Sequence, residues 1–166
     1  MKKFFAIIAL FSLPLMATNS FAQMAIDKGT KFVNLGIGLG GAYSYGSALG
    51  FNAAADFGVA KNITVGGVVG YRSFGDGVGG YDLGARGSYH FNDLLSTPET
   101  VDLYAGIGLT YFGYTGLSGV GYNLSFISVP IHIGGRYFFS EKLGAFAELG
   151  SAVSTLKLGV TFKLGK

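Results

Sequence analysis

From about residue 30 to the C-terminus the chain alternates apolar with polar or very small residues at a period of two, in eight successive segments. Only an extended strand sends every second side chain to the same face. The segments run over about residues 30–42, 47–59, 63–73, 80–91, 100–112, 124–139, 143–151 and 154–165, separated by short clusters of Gly, Asn, Asp, Ser and Pro that read as turns. No helical period competes with this pattern. Consecutive strands joined by short turns predict an all-β, eight-stranded antiparallel up-and-down barrel over 30–166.

The two faces of these segments differ in kind. One carries residues such as Leu35, Ile37, Phe51, Val65, Val69, Leu83, Ile107, Leu109, Ile131, Ile133, Leu149, Leu158 and Val160, and no charge. The other carries Asp56, Arg72, Asp82, Arg86, His90, Asp102, Arg136, Glu148, Lys157 and Lys163, with Asn34, Thr64, Ser88, His132, Thr161 and many glycines. The stretch "YDLGARGSYHF" at 81–91 shows both faces side by side.

Alternation alone fits either a soluble barrel with an apolar core or a membrane barrel with a polar one. Three features favour the second. The charged face is rich in Gly and poor in Lys and Glu, and only 13% of the chain is charged, whereas soluble surfaces are about a quarter to a third charged. On the apolar face, aromatic residues gather near strand ends: Tyr71, Tyr81 and Tyr111 at one end, Phe57, Tyr89, Phe91, Tyr137 and Phe139 at the other. Two membrane interfaces select two such girdles.

The third feature is the N-terminus. Lys2 and Lys3 precede an apolar run from Phe4 to Leu13, then Pro14 and a small-residue stretch ending Ser20-Phe21-Ala22. Residues 1–22 read as a secretory signal peptide, its apolar run falling short of a spanning helix, and 23–29 as a short N-terminal segment. A closed barrel satisfies every backbone N–H and C=O between strands, as lipid requires. A secreted soluble barrel with its faces reversed predicts instead solubility without detergent.

Charge and cysteine content exclude other classes. Without Lys2 and Lys3, ten basic residues face nine acidic ones, so no basic surface for nucleic acid remains. Cysteine is absent, which removes a disulfide framework and thiolate metal sites.

On this pattern the chain resembles the small eight-stranded outer-membrane β-barrels of Gram-negative bacteria, the OmpA/OmpX-like, porin-like group. The resemblance implies an integral protein of the bacterial outer membrane, in contact with its lipid, met during biogenesis by periplasmic chaperones and the barrel assembly machinery. It implies termini and the connections near 60–62, 92–99 and 140–142 on the periplasmic side. Those near 43–47, 74–79, 113–123 and 152–153 would face outward. Family members usually end in an aromatic residue, whereas this chain ends "VTFKLGK", with Leu164 its last lipid-facing position.

Eight strands enclose a space that side chains can fill, so the inward charges predict an ion-paired core. Reflecting hairpins about their expected turn centres places Arg72 opposite Asp82, Glu148 opposite Lys157, and His90 opposite Asp102 with Arg136 in reach; opposite charges across a ladder stabilise it.

Other motifs carry less. His90 and His132 read as members of the polar core, although an eight-stranded outer-membrane lipid A acyltransferase shows that the fold can host chemistry at its outer rim. "GIGLGG" at 36–41 fits G-x-G-x-x-G, but no helix follows to hold a phosphate. The Asn62-Ile63-Thr64 and Asn123-Leu124-Ser125 triplets are short enough to arise by chance. Pro130 cannot donate to a ladder and marks a bulge or a lateral opening in the sixth strand. The expected protein is non-enzymatic, without cofactor, catalytic residue or metal site, and contributes to envelope integrity or surface interaction. The alternative is a porin-like barrel that transports small solutes or binds a small hydrophobic ligand.

Overall fold

The computed structural model describes residues 24–41, 49–75, 77–116 and 125–165. The expected signal peptide, the expected 43–47 connection and most of the expected 113–123 connection lie outside these residues. The strands are β1 (Lys31–Leu39), β2 (Gly50–Ala60), β3 (Ile63–Gly75), β4 (Val78–His90), β5 (Val101–Thr115), β6 (Ser125–Ser128), β7 (Ile131–Phe138), β8 (Leu143–Gly150) and β9 (Leu156–Lys163). Every pairing is antiparallel, and β1 pairs with both β2 and β9, which closes the sheet on itself. Strands β6 and β7 lie end to end along β5, so the barrel has eight staves.

The sixth segment is therefore not the single strand expected over 124–139. It breaks at Val129 and Pro130, and the break is not a bulge. Ser128 pairs with Thr110 and Ile131 with Ile107, so equal numbers of residues span the gap on both strands and the register is kept. The Pro130 carbonyl accepts from the Gly108 N–H at 2.7 Å, but proline has no N–H to return. One ladder bond is missing, and the facing of every side chain is preserved.

The faces are sorted with polar groups inside. Arg72, His90 and Asp102 are 0% exposed, while Leu83 is 61% exposed and Ile133 likewise 61%. Water does not sort side chains this way, because an ionised group leaves water only at high cost and apolar groups leave it readily. The exposed belt includes Phe51, Val69, Leu109, Ile127 and Leu158, far more apolar surface than soluble monomers present. The expected girdle residues lie on this outer surface: Tyr71 pairs with Tyr81 across the ladder, the Tyr81 and Tyr111 rings are 6.3 Å apart, and at the other end Tyr89 meets Phe91 at 5.1 Å and Tyr137 meets Phe139 at 6.4 Å. Phe57 is exposed at that same end.

Two features of the end that carries both termini escaped the period-two pattern. The connection after β4 holds a one-turn helix, α1 (Asn92–Leu95), too short to show a 3.6-residue period. The segment before β1 crosses the mouth of the barrel, where Met24 and Ile26 pack with Phe32 and Phe138 in an apolar cluster. Its backbone is tied down by Asn62 N–H to the Ile26 carbonyl (2.8 Å) and Gly29 N–H to the Gly58 carbonyl (2.9 Å).

Candidate functional site

The centre of the barrel is a cluster of three cations and three carboxylates drawn from six strands. The Arg86 fork on β4 holds Asp56 on β2 through Nε (2.7 Å) and Nη2 (2.6 Å), and its Nη1 donates to Glu148 on β8 at 2.8 Å. Lys157 on β9 donates to the other Glu148 oxygen at 2.9 Å. Arg136 on β7 donates to Asp102 on β5 (2.6 Å), to Asp56 (2.7 Å) and to the Asn34 side-chain oxygen (3.2 Å). Asp56 and Arg136 come from opposite walls of the ring, so this contact ties the barrel across its lumen. The Arg136 guanidinium also lies between the Phe32 and Tyr104 rings, 4.4 and 4.3 Å from their centroids, a stacked geometry that a lysine cannot reproduce.

Histidines and hydroxyls fill the rest of this layer. His90 Nδ1 and Asp102 share a hydrogen bond at 2.7 Å, His90 Nε2 and the Thr64 hydroxyl one at 3.0 Å, and Ser88 and His132 Nε2 one at 2.8 Å. Thr64, His90 and Asp102 thus line up as hydroxyl, imidazole and carboxylate. All three are at most 1% exposed, so no substrate reaches the hydroxyl in this conformation.

Several of these contacts skip a strand, and a glycine lies beneath each. Gly66 on β3 pairs with Asp56 on one side and Arg86 on the other. Gly106 on β5 sits between Ser88 and His132, and Gly134 on β7 between Tyr104 and Glu148, whose side chains meet at 3.0 Å. A Cβ on Gly106 would lie 2.7 Å from His132 Nε2, and one on Gly134 2.6 Å from the Tyr104 hydroxyl. Removing the side chain from the middle strand is what lets second-neighbour strands touch inside so narrow a barrel.

The structure brings Asp56, Arg86, Asp102, Arg136, Glu148, Lys157 and His90 together and leaves three other residues of the expected network apart. Arg72 pairs with Gly80, and Asp82 with Gly70, so the two are not opposite. The β3–β4 turn is irregular between Ser73 and Gly75, and moving its centre by one residue moves every partner by two. Arg72 instead lies near the Phe74 ring, 5.7 Å from its centroid, and Asp82 accepts from the Val153 N–H at 3.4 Å. Lys163 lines the mouth at the terminal end, beside Glu99, Glu141 and Lys142. His90 pairs with Tyr104 rather than with Asp102; it reaches Asp102 diagonally, because the β4–β5 connection is centred one residue later than expected, whereas the β3–β4 turn is centred one residue earlier. Glu148 does stand opposite Lys157.

Sequence reasoning passed over Tyr104, Phe32, Phe146 and Asn92. Each is buried, and the first three occupy the even-numbered inward positions of their strands, the only signal that could have found them. Asn92 donates to Asp102 (3.0 Å) and to the Met24 carbonyl (3.3 Å) and accepts from the Leu103 N–H (2.9 Å). It therefore joins the N-terminal segment to the ionic cluster. A small, partly enclosed cavity of about 10 Å³ lies between Asn34, Asn52, Asp82 and Glu148, room for about one water.

At the water-facing rim, Lys61 and Asp93 form an exposed ion pair at 2.7 Å, and the Asn62 amide also donates to Asp93 at 3.0 Å. The hydrogen bond and charge of Lys61 hold the Asp93 carboxyl below the ordinary carboxylate range, and Asp93 raises Lys61 above the ordinary lysine range. The contribution to stability is then present between those ranges, lost on acidification through the lowered Asp93 value and lost again on alkalinisation through the raised Lys61 value. Asp93→Asn is expected to abolish this small pH dependence in acid unfolding titrations. Added salt should do the same to the wild type, since exposed pairs are screened; a salt-independent profile counts against the pair.

No protein-family profile matches the chain, and no curated protein matches it. Solved structures do. The N-terminal β-barrel domain of Pseudomonas aeruginosa OprF superposes with a TM-score of 0.60 at 16% identity, over 86% of this chain and 98% of that one. The fold is that of a small transmembrane β-barrel. Neisserial surface protein A aligns at a TM-score of 0.59 and 14% identity, over 81% and 96% of the two chains. De novo designed transmembrane β-barrels align at 0.56 and 16%, over 83% and 98%. Designed and natural barrels resemble this one about equally well, as expected when strand number and face polarity, and not particular residues, carry the likeness.

Proposed function

We propose that the protein is a non-enzymatic integral protein of the bacterial outer membrane that works as a closed barrel, supporting the envelope or presenting a surface for contact. The observation that carries this reading is the filled lumen. Arg136 bonds to Asp56 across it, Arg86 and Lys157 converge on Glu148, and Met24, Ile26, Phe32 and Phe138 stop the terminal end. A path for solutes would have to break several charge-assisted bonds at once, each about twice as strong as a neutral one. Lipid is the partner that the exposed apolar belt fits. The assembly machinery and periplasmic chaperones are the partners that its insertion would need.

Planar-bilayer recording of refolded protein tests the reading. The expected result is silence or rare brief openings; steady openings would favour the alternative, transport of small solutes. A denaturing gel tests the membrane barrel itself, the unheated sample running apart from the boiled one. Fractionation of a Gram-negative host then tests the location, with the protein expected in the outer-membrane fraction.

A further inference from the structure

We infer that α1 is a membrane anchor: Leu94 and Leu95 insert into the lipid headgroup and upper acyl region at the terminal end, extending the apolar belt below the girdle between β4 and β5. The inference rests on the transmembrane reading. Leu94 is 73% exposed and Leu95 57% exposed, although both lie beyond the strands, where water-facing turns are usually polar. The other turns at this end follow the usual rule. The β2–β3 turn exposes Lys61, and the β7–β8 turn exposes Ser140, Glu141 and Lys142.

The helix is held so that its apolar side faces out. Asn92 is 0% exposed and fixed inward by its bonds to Asp102 and to the Leu103 N–H. Asp93 is drawn toward the β2–β3 turn by Lys61 and Asn62. Leu94, nearly opposite Asn92 around the turn, is left pointing away from the barrel. The Leu95 N–H bonds to the Phe91 carbonyl at 2.9 Å, and Phe91 packs edge-on against Tyr89 of the girdle. The leucines therefore continue a surface that already faces lipid.

Lipid is the occupant that this patch fits. Two leucines offer far less than the roughly 800 Å² that each partner of a stable protein interface buries, but they suffice to seat one turn at an interface. The charged Lys61–Asp93 pair adjoins the patch through Asp93, the residue before Leu94, and the Lys61 amine on its long, exposed stem can remain in water.

The chain contains no tryptophan, so single-tryptophan variants report one position each. Leu94→Trp, Ser140→Trp and Ile107→Trp would be refolded into phosphatidylcholine–phosphatidylglycerol vesicles carrying bromine either close to the headgroup or close to the chain end. Leu94→Trp is expected to emit at a blue-shifted wavelength and to be quenched severalfold more by the shallow bromines than by the deep ones. Ser140→Trp should stay unquenched. Water-like, unquenched emission from Leu94→Trp, or equal quenching of Ser140→Trp, overturns the anchor. Ile107→Trp, from the middle of the belt, separates the two readings, because an unquenched signal there overturns the transmembrane barrel and the anchor with it. If Leu94→Trp does not refold, as judged by the gel shift, Leu95→Trp serves in its place with the same expectations.

Discussion

Arg136→Ala is expected to lower the unfolding free energy of the refolded barrel by about 3–5 kcal/mol, the range found when one partner of a buried ion pair is removed. The side chain is 1% exposed and bonds to Asp102, Asp56 and Asn34, so its loss leaves Asp102 without a guanidinium partner in a lumen with little room for water, while Asp56 keeps only its bridge to Arg86. It also removes the slab between the Phe32 and Tyr104 rings. Arg136→Lys should fall between wild type and alanine, because one ammonium cannot reach both carboxylates and stack as well. Adding Asp102→Asn to Arg136→Ala removes one stranded charge, so the double variant should cost less than the two singles summed, by about 0.5–3 kcal/mol. Denaturant titration in lipid vesicles, scored by the heat-sensitive gel band, measures all four. A loss below about 0.5 kcal/mol for Arg136→Ala would mean that the cross-lumen tie does not hold the barrel.

Two neighbouring glycines should behave in opposite ways. In Gly66→Ala the new methyl group would collide with the Ala55 carbonyl oxygen and sit 2.7 Å from Asp56 Oδ1, under the bidentate Asp56–Arg86 bridge. Overpacking of this kind costs about 1–3 kcal/mol, occasionally more. In Gly67→Ala the methyl group points outward, with its nearest neighbour, the Gly84 carbonyl oxygen, at 3.8 Å, and stability should stay within about 0.5 kcal/mol of wild type. The same titrations decide it. Equal effects would mean that the inside and outside of β3 have been assigned wrongly.

The face of each strand residue was legible because alternation in a strand has a period of two and no tolerance. Asp56, Arg72, Asp82, Arg86, His90, Asp102, Arg136, Glu148 and Lys157 are all buried, as the alternation required. Partners were less legible. Glu148 and Lys157 face each other because the β8–β9 ladder runs without a register shift about the expected centre. Arg72 and Asp82 do not, because an irregular turn between β3 and β4 shifts the pairing by two residues. Such a shift leaves every side chain on its own face, so the hydrophobic pattern cannot detect it.

The packing of the N-terminal segment across the barrel mouth, and α1, were missed for a related reason. A stretch of a few residues has no period to read, and Met24, Ile26 and Asn92 take their roles from the barrel mouth that they meet. Sequence by itself determined the number of staves and which residues share a face, since these follow from local backbone geometry, and its glycine-rich, charge-poor polar face and aromatic girdles pointed that face inward. Only the tertiary structure decided that Asp56 meets Arg136 across the lumen, that Arg86 crosses over Gly66, and that the N-terminal segment stops one end. These contacts depend on where the sheet closes and how its strands are staggered, which is a property of the whole ring and of no single strand.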